Sequence, residues 1–129
     1  MEAIKVLIVD DNAVFLRAAM LTLSALPGVH VVGSARTGPA AMPVALIEQP
    51  DLILMDVHMP VMNGVRTAAR MRAQGITAKI VLVSLADAPE AQAHSPGMAA
   101  DGFIAKADFA AGIQRVIDGL FPERCLCPC

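Results

Sequence analysis

Five polar side chains that follow apolar runs carry the most informative chemistry of this sequence. They are Asp10 and Asp11 after the first run, Asp56 after the third, Ser84 after the fourth and Lys106 after the fifth. Clustered carboxylates raise one another's pKa unless a cation lies among them, and hard oxygen ligands suit Mg²⁺. A carboxylate beside Mg²⁺, with an ammonium and a hydroxyl to hold phosphoryl oxygens, meets the needs of in-line phosphoryl transfer. The residue types predict a Mg²⁺-dependent phosphoryl acceptor with Asp56 as the nucleophile.

The elements that position these residues are predicted by apolar runs at residues 4–9, 29–33, 52–55, 80–83 and 103–105. None of the runs alternates polar and apolar residues, which is typical of strands buried on both faces of a parallel sheet. The intervals leave room for helices at residues 13–26, 39–48, 65–74, 88–99 and 108–120. Because ligands of such sheets bind beyond the carboxyl ends of the strands, the five polar side chains are expected at one edge.

The alternation of runs and helices predicts an α/β fold with a five-stranded parallel sheet and helices on both faces. A flavodoxin-like strand order, 2-1-3-4-5, is the simplest choice. Pro43 lies within the second predicted helix and Ser95-Pro96-Gly97 within the fourth, so both helices are expected to be irregular or shortened. We assign residues 1–122 to one domain and residues 123–129 to a tail that contains Cys125, Cys127 and Cys129.

Length and charge exclude several classes of protein. A chain of 129 residues with a net charge of -2 has room for one domain and lacks the basic surface of a nucleic-acid or membrane-surface binder. Its start lacks the basic region of a secretory signal, and Pro27-Gly28 and His30 interrupt the longest uncharged stretch, so we expect a cytoplasmic protein without a membrane span. The partners are expected to be another protein or a small anion.

Over residues 4–120 the sequence resembles the receiver domain of bacterial two-component response regulators. The motifs that carry the resemblance are Val9-Asp10-Asp11-Asn12, the run from Asp51 to Pro60 with Asn63-Gly64 after it, Val83-Ser84, and the run from Asp101 to Lys106. Residues 31–35 with Gly38, and Lys106-Ala107-Asp108, are most similar to the subclass that usually precedes a helix-turn-helix output domain. No such domain follows in this sequence, so we expect a single-domain regulator in the bacterial cytoplasm.

The resemblance implies the role of each acidic residue. Asp56 would accept a phosphoryl group from a sensor histidine kinase or a phosphotransfer protein. Asp11 and Asp56 would ligate Mg²⁺, Asp10 would act largely through water, and the backbone carbonyl of His58 would complete the protein ligands. Beyond self-catalysed phosphorylation and dephosphorylation, no enzymatic activity is implied.

The resemblance also implies how phosphorylation changes the surface. Lys106 would pair with the phosphoryl oxygens, and Ser84 would move toward them while Phe103 swings inward. The face formed by the helix at 88–99, the fifth strand and the last helix would then be remodelled. This face would bind a downstream protein target that the sequence does not name, or a second copy of the chain, and the chain would not bind nucleic acid directly.

Alternative interpretations remain at several of these positions. Asp10 and Asp11 could only cap a helix, and Asp56 could be a turn residue. The His58 side chain is interpreted as a modulator at the rim, because no second imidazole or thiol lies near it in sequence. Ala107, where the family often has proline, and the break at Ser95-Pro96-Gly97 leave open a degenerate receiver that binds partners or dimerises without phosphorylation. An acid-phosphatase-like enzyme is disfavoured because the first strand ends in Asp10-Asp11 and not Asp-x-Asp.

Overall fold

Five parallel strands form the centre of the molecule, in a computed structural model that describes residues 3–59, 61–85 and 100–122. The strands are β1 (Ile4–Val9), β2 (Val29–Ala35), β3 (Leu52–Asp56), β4 (Lys79–Ser84) and β5 (Gly102–Ala105). Their order in the sheet is β2-β1-β3-β4-β5, which confirms the predicted flavodoxin-like arrangement. The helices of the described part are α1 (Ala13–Ser24), α2 (Gly38–Glu48), α3 (Gly64–Ala73) and α4 (Phe109–Leu120), with a 3₁₀ turn at Lys106–Asp108 before α4.

The central strands are buried on both faces, as their continuous apolar sequence predicts. Every residue of β3 is buried, and in β1 only Lys5 is partly exposed. Successive side chains of a strand point to opposite faces, so Ile8 packs on the side of α1 and α4, and Leu7 packs on the side of α2 and α3. The sheet therefore separates two apolar cores, and its strand ends are held rigidly.

Each of the first three helices begins at a residue whose side chain accepts hydrogen bonds from the first turn. Asn12 accepts from the backbone N–H groups of Val14 and Phe15, Thr37 caps α2, and Asn63 caps α3. These side chains satisfy donors that have no partner inside the helix. The caps of α1 and α3 follow β1 and β3 in the chain, so they also hold the loop that carries Asp10 and Asp11 and the loop that follows Asp56.

The prediction of an irregular second helix is wrong, because α2 runs unbroken from Gly38 to Glu48 with Pro43 inside it. Pro43 has no N–H to donate to the carbonyl group four residues earlier, and both residues lie on the exposed side of the helix. Water can therefore solvate that carbonyl group. Buried Ala41 and Ala45 pack the opposite side of α2 against the sheet, and this packing offsets the lost hydrogen bond.

Asp101, which precedes β5, ties the start of that strand to its neighbours. Its carboxylate accepts hydrogen bonds from the N–H of Ile80 at 2.9 Å and from the Arg72 guanidinium at 2.8 Å. Arg72 also donates to the carbonyl oxygens of Ile76 and Ala78 at 2.9 and 2.7 Å. This network joins the end of α3 to β4 and β5, and so it explains why the motif that ends at Lys106 begins with an aspartate.

The other predicted boundaries agree with the structure to within about two residues, where the structure describes them. The predicted helix at 88–99, with Ser95-Pro96-Gly97, and the tail at 123–129, with its three cysteines, lie outside the described residues. The division at residue 122 stays a prediction. Among the described residues, no helix has the length and apolar character that crossing a membrane requires.

Val61, in the loop between β3 and α3, has a φ of 73°, which is costly for a β-branched residue. Its side chain is 85% exposed, so little burial is lost when it is removed. We expect Val61→Gly to raise the free energy of unfolding by about 0.5–1 kcal/mol in urea denaturation. The matched control is Val14→Gly, at a similarly exposed position in the first turn of α1, which should lower it by about 0.5 kcal/mol or less. Equal losses in both variants would contradict the assignment of strain to Val61.

Candidate functional site

The carboxyl ends of four strands bring the predicted site residues to one edge of the sheet. Asp10 follows β1, Asp56 ends β3, Ser84 ends β4 and Lys106 follows β5. In the sheet register, Asp56 lies beside Val83, one residue before Ser84, and Ser84 lies beside Ala105, one residue before Lys106. The staggered ends place an acceptor carboxylate, a hydroxyl and an ammonium on adjacent strands.

Three carboxylates gather at the centre of this edge. One oxygen from each of Asp10, Asp11 and Asp56 lies within 4.8 Å of the others. Asp10 is 1% exposed and Asp56 is 4% exposed, whereas Asp11 lies at the opening of the cluster. The side chain that caps α1 is that of Asn12, and Asp56 lies in β3, so neither capping by Asp10 and Asp11 nor a turn at Asp56 describes these residues.

The Lys106 ammonium is the positive charge that faces these carboxylates. Its Nζ lies 2.8 Å from Asp10 Oδ2 and 3.9 Å from Asp56 Oδ2. The Lys106 side chain is only 9% exposed, so water screens these interactions weakly. One lysine cannot neutralise three carboxylates, and the cluster keeps an excess of negative charge.

The carboxylate cluster fits Mg²⁺. Asp10 Oδ2 is buried, and its ion pair is with the Lys106 ammonium at 2.8 Å, which also lies 3.9 Å from Asp56 Oδ2. One ammonium shared by two buried carboxylates leaves negative charge that a further cation would compensate. All the candidate ligands are oxygens, as Mg²⁺ prefers, and the partial exposure of Asp11 leaves room for the waters that Mg²⁺ retains.

The environment of Asp56 favours the neutral form of its carboxyl group in the metal-free protein. Burial, and then the negative charge of Asp10, raise its pKa from 3.8 to about 7. The Lys106 ammonium and a hydrogen bond from the backbone N–H of His58 oppose this rise. A cation bound among the carboxylates would remove the repulsion and leave Asp56 ionised, which is the form that acts as a nucleophile.

Asn12 connects the acidic cluster to α1. Its backbone N–H donates to Asp10 Oδ1 at 2.8 Å, and its side chain accepts from Val14 and Phe15 at 2.9 and 3.1 Å. The Arg36 guanidinium donates to the backbone carbonyl oxygen of Asp11 at 2.9 Å. These contacts fix the loop after β1, so the orientation of Asp10 is tied to the start of the helix.

Three further residues were predicted for the site: Ser84, Phe103 and His58. Ser84 is fully buried at the end of β4. Phe103, in β5, pairs with Leu82 of β4. Its side chain is partly buried and packs against the core on the side of α2 and α3. The His58 side chain is exposed, and its backbone N–H contacts Asp56. The implied ligand role of the His58 carbonyl stays a prediction.

Sequence reasoning missed three residues that shape this site. The ring of Phe15 lies under Lys106, and Phe109 packs against that ring. Gly64 lies in the motif after Asp56, and a Cβ at this position would overlap the backbone carbonyl oxygen of Asp56. The tight spacing of Asn63-Gly64 after Asp56 is the sequence signal that indicates such a close approach.

The fold and the site together define a doubly wound α/β domain with an acidic, lysine-containing cluster at the carboxyl ends of its strands. The model of the response regulator receiver domain matches residues 6–117. The chain therefore belongs to the response regulator receiver domain family of two-component systems, as the sequence motifs predicted.

Relatives and solved structures agree with this assignment. The nitrate/nitrite response regulator protein NarL of Escherichia coli is 31% identical over 105 residues, which cover 81% of this chain and 49% of the relative. The receiver domain of the putative response regulator NarL from Mycobacterium tuberculosis has a TM-score of 0.83 at 31% identity, with 92% of this chain and 97% of that chain covered. The similarity to NarL agrees with the predicted subclass, in which a helix-turn-helix output domain usually follows the receiver.

A third similarity is to a chain in the crystal structure of a CheA3 domain in complex with CheY6 from R. sphaeroides. It has a TM-score of 0.80 at 29% identity, with 95% of this chain and 99% of that chain covered. The chain described here spans about half the length of the curated NarL relative that it matches.

Proposed function

We propose that this receiver domain accepts a phosphoryl group on Asp56 from a sensor histidine kinase or a phosphotransfer protein, in a Mg²⁺-dependent reaction. The single observation that carries the proposal is the placement of the Lys106 ammonium 2.8 Å from Asp10 and 3.9 Å from the buried carboxylate of Asp56. The site thus brings together the Asp56 carboxylate as acceptor, the acidic cluster, and the Lys106 ammonium, which can bind phosphoryl oxygens.

The proposed transfer follows from the chemistry of these groups. An Asp56 carboxylate oxygen forms a bond to phosphorus while the P–N bond of the donor phosphohistidine breaks, and the electron pair of that bond returns to the imidazole. When bound by Asp10, Asp11, Asp56 and the His58 carbonyl, Mg²⁺ would supply charge neutralisation of the phosphoryl oxygens. Lys106 is proposed to bind a phosphoryl oxygen, and the Ser84 hydroxyl to donate to another.

The proposal is tested by intact-mass spectrometry after incubation with phosphoramidate, with and without Mg²⁺, on the wild type and on Asp56→Ala. We expect a gain of one phosphoryl group that requires Mg²⁺ and disappears in the variant. Glu48→Gln, at an exposed residue at the end of α2, is the control and should be phosphorylated like the wild type. If the folded wild type gains no phosphoryl group, the alternative of a phosphorylation-independent binding module replaces the proposal.

The surroundings of the site support a protein as the physiological donor. Val14, Val61 and Leu85, which follow the ends of β1, β3 and β4 in the chain, are 79%, 85% and 76% exposed. Large apolar side chains with this exposure around a polar pocket are typical of surfaces that a partner covers. The similarity to CheY6, which was crystallised in complex with the P1 domain of CheA3, also supports a protein partner.

We expect Val14→Glu to slow phosphoryl transfer from the cognate phosphohistidine domain by about tenfold, because a charge would be buried at the contact. The rate with phosphoramidate should stay within about twofold of the wild type, since that small donor needs no docking surface. Leu46→Glu, at an exposed residue of α2 away from the site, is the matched control. Equal slowing with both donors would show instead that the substitution disturbs the site itself.

For the output, we propose that phosphorylation changes a face formed by the segment before β5, by β5 with Phe103, and by α4. This face would bind a downstream protein, and two copies of the chain could pair through it. We propose a role in the bacterial cytoplasm without direct contact to nucleic acid, which the net charge of -2 supports.

A further inference from the structure

An aromatic ring lies against the Lys106 ammonium. Nζ is 4.6 Å from the centroid of the Phe15 ring. The Phe109 ring packs against Phe15 at a centroid distance of 5.3 Å and an interplanar angle of 75°, an edge-to-face arrangement. An ammonium within about 6 Å of a ring centroid is attracted by the negative face of the π system. Phe15 is thus a third attractive partner of Lys106, beside Asp10 and Asp56.

This partner differs from the carboxylates in what it does to the lysine. Lysine has a long flexible side chain and no fixed geometry at its charged end. Nζ lies 2.8 Å from Asp10 Oδ2 and 3.9 Å from Asp56 Oδ2, so its shorter ion pair is with Asp10. A ring face restricts the ammonium without cancelling its charge, so the charge stays available for phosphoryl oxygens on Asp56.

The ring is itself held by both elements that border the lysine. Phe15 lies in the first turn of α1, and its N–H donates to Asn12 Oδ1 at 3.1 Å, while the Asn12 N–H donates to Asp10. Phe109 is buried at the start of α4, three residues after Lys106. One cap therefore orients both Asp10 and the ring, and the aromatic pair spans from α1 to the turn at Lys106–Asp108.

We propose that Phe15 is a positioning residue, which holds the Lys106 ammonium between Asp10 and Asp56 through the face of its ring. Phe109 supports the ring from the side of α4. The contact between Phe15 and Lys106 lies next to Ala107, a position at which a proline would stiffen the turn. The inference rests on the proposed function only for its consequence, faster phosphorylation of Asp56; the position of Lys106 can be measured independently.

The test replaces Phe15 with phenylalanines that carry one, two or three fluorine atoms, which weaken the negative ring face while nearly preserving shape. We expect the rate of phosphorylation by phosphoramidate to fall progressively with each fluorine, by about 3- to 10-fold for the trifluoro residue. Phe15→Trp should retain most of the rate, and Phe15→Leu should lose about as much as the trifluoro variant. Trifluorophenylalanine at Phe121, in the same apolar core at the end of α4, is the matched control, and its rate should stay within about twofold of the wild type.

A second measurement reports the position of Lys106 without any phosphorylation. In the wild type, NMR signals of the Lys106 ε-protons should be shifted upfield by the ring current of Phe15, and the shift should shrink in the trifluoro variant. An unchanged shift and rate across the fluorine series would overturn the positioning role, as would an equal loss from the Phe121 control. If the wild type takes up no phosphoryl group, the proposed function fails, and the NMR series still decides whether Phe15 holds the lysine.

Discussion

Asp56→Asn is expected to stabilise the metal-free protein strongly at pH 8 and much less at pH 5. In the folded protein the pKa of Asp56 is raised from 3.8 to about 7, chiefly by burial and by the charge of Asp10. Between these two values the folded state holds a proton that the unfolded state has released. The free energy of unfolding therefore falls as pH rises from about 4 to 7, and above pH 7 the wild type carries the full cost of an ionised Asp56.

The size of this effect follows from the shift in pKa, and we expect about 2–4 kcal/mol between pH 5 and pH 8. Wild type and Asp56→Asn share every other ionisable group of the chain. The informative quantity is thus the difference between wild type and Asp56→Asn, measured by urea denaturation in EDTA at several pH values. Glu48→Gln, at an exposed carboxylate, should show no such pH dependence relative to the wild type.

The same two proteins are then compared with Mg²⁺ added at pH 8. A ligand that binds only the folded state raises the free energy of unfolding, and the ionised Asp56 is one of the proposed ligands. Adding Mg²⁺ at pH 8 should therefore stabilise the wild type more than Asp56→Asn and reduce the difference between them. A pH-independent difference in EDTA, or equal stabilisation of both proteins by Mg²⁺, would contradict our account of the acidic cluster.

Gly64→Ala is expected to have an effect of similar size, for a steric reason. A Cβ at Gly64 would overlap the backbone carbonyl oxygen of Asp56 and approach Met55 Cγ to 3.0 Å. The Gly64 N–H also donates to the Val57 carbonyl oxygen at 2.8 Å, so the glycine cannot easily move away. The obstacle is backbone at the end of β3, whose residues are all buried, and not the flexible end of a side chain.

We expect Gly64→Ala to lower the free energy of unfolding by about 2–4 kcal/mol. Because relief of the clash displaces Asp56, phosphorylation by phosphoramidate should slow by about tenfold or more. The control is Gly119→Ala in α4, where a Cβ has no neighbour within 4 Å. That substitution should raise stability by about 0.5–1 kcal/mol through helix propensity. Similar stability for Gly64→Ala and the wild type would show that the loop after β3 yields more readily than its contacts imply.

Much of the site could be read from the sequence because its residues follow apolar runs directly. Asp10, Asp56, Ser84 and Lys106 all lie at or just beyond the end of a strand, and parallel strands bring such positions to one edge. The strand positions themselves follow from uninterrupted apolar runs, a local property that a single sequence displays. The five-stranded sheet and the identity of the chemical groups were therefore accessible before any coordinates.

The tertiary structure decided what depends on contacts between distant segments. Phe15 and Lys106 are 91 positions apart, and no local pattern predicts that the ring of one lies 4.6 Å from the ammonium of the other. Helix α2 continues through Pro43 because Ala41 and Ala45 pack on the sheet, a tertiary gain that outweighs a local penalty. The raised pKa of Asp56 likewise depends on burial by the whole fold and on the distance to Asp10. Local sequence thus determined which groups the site contains, and long-range packing decided their distances, their burial and hence their charge.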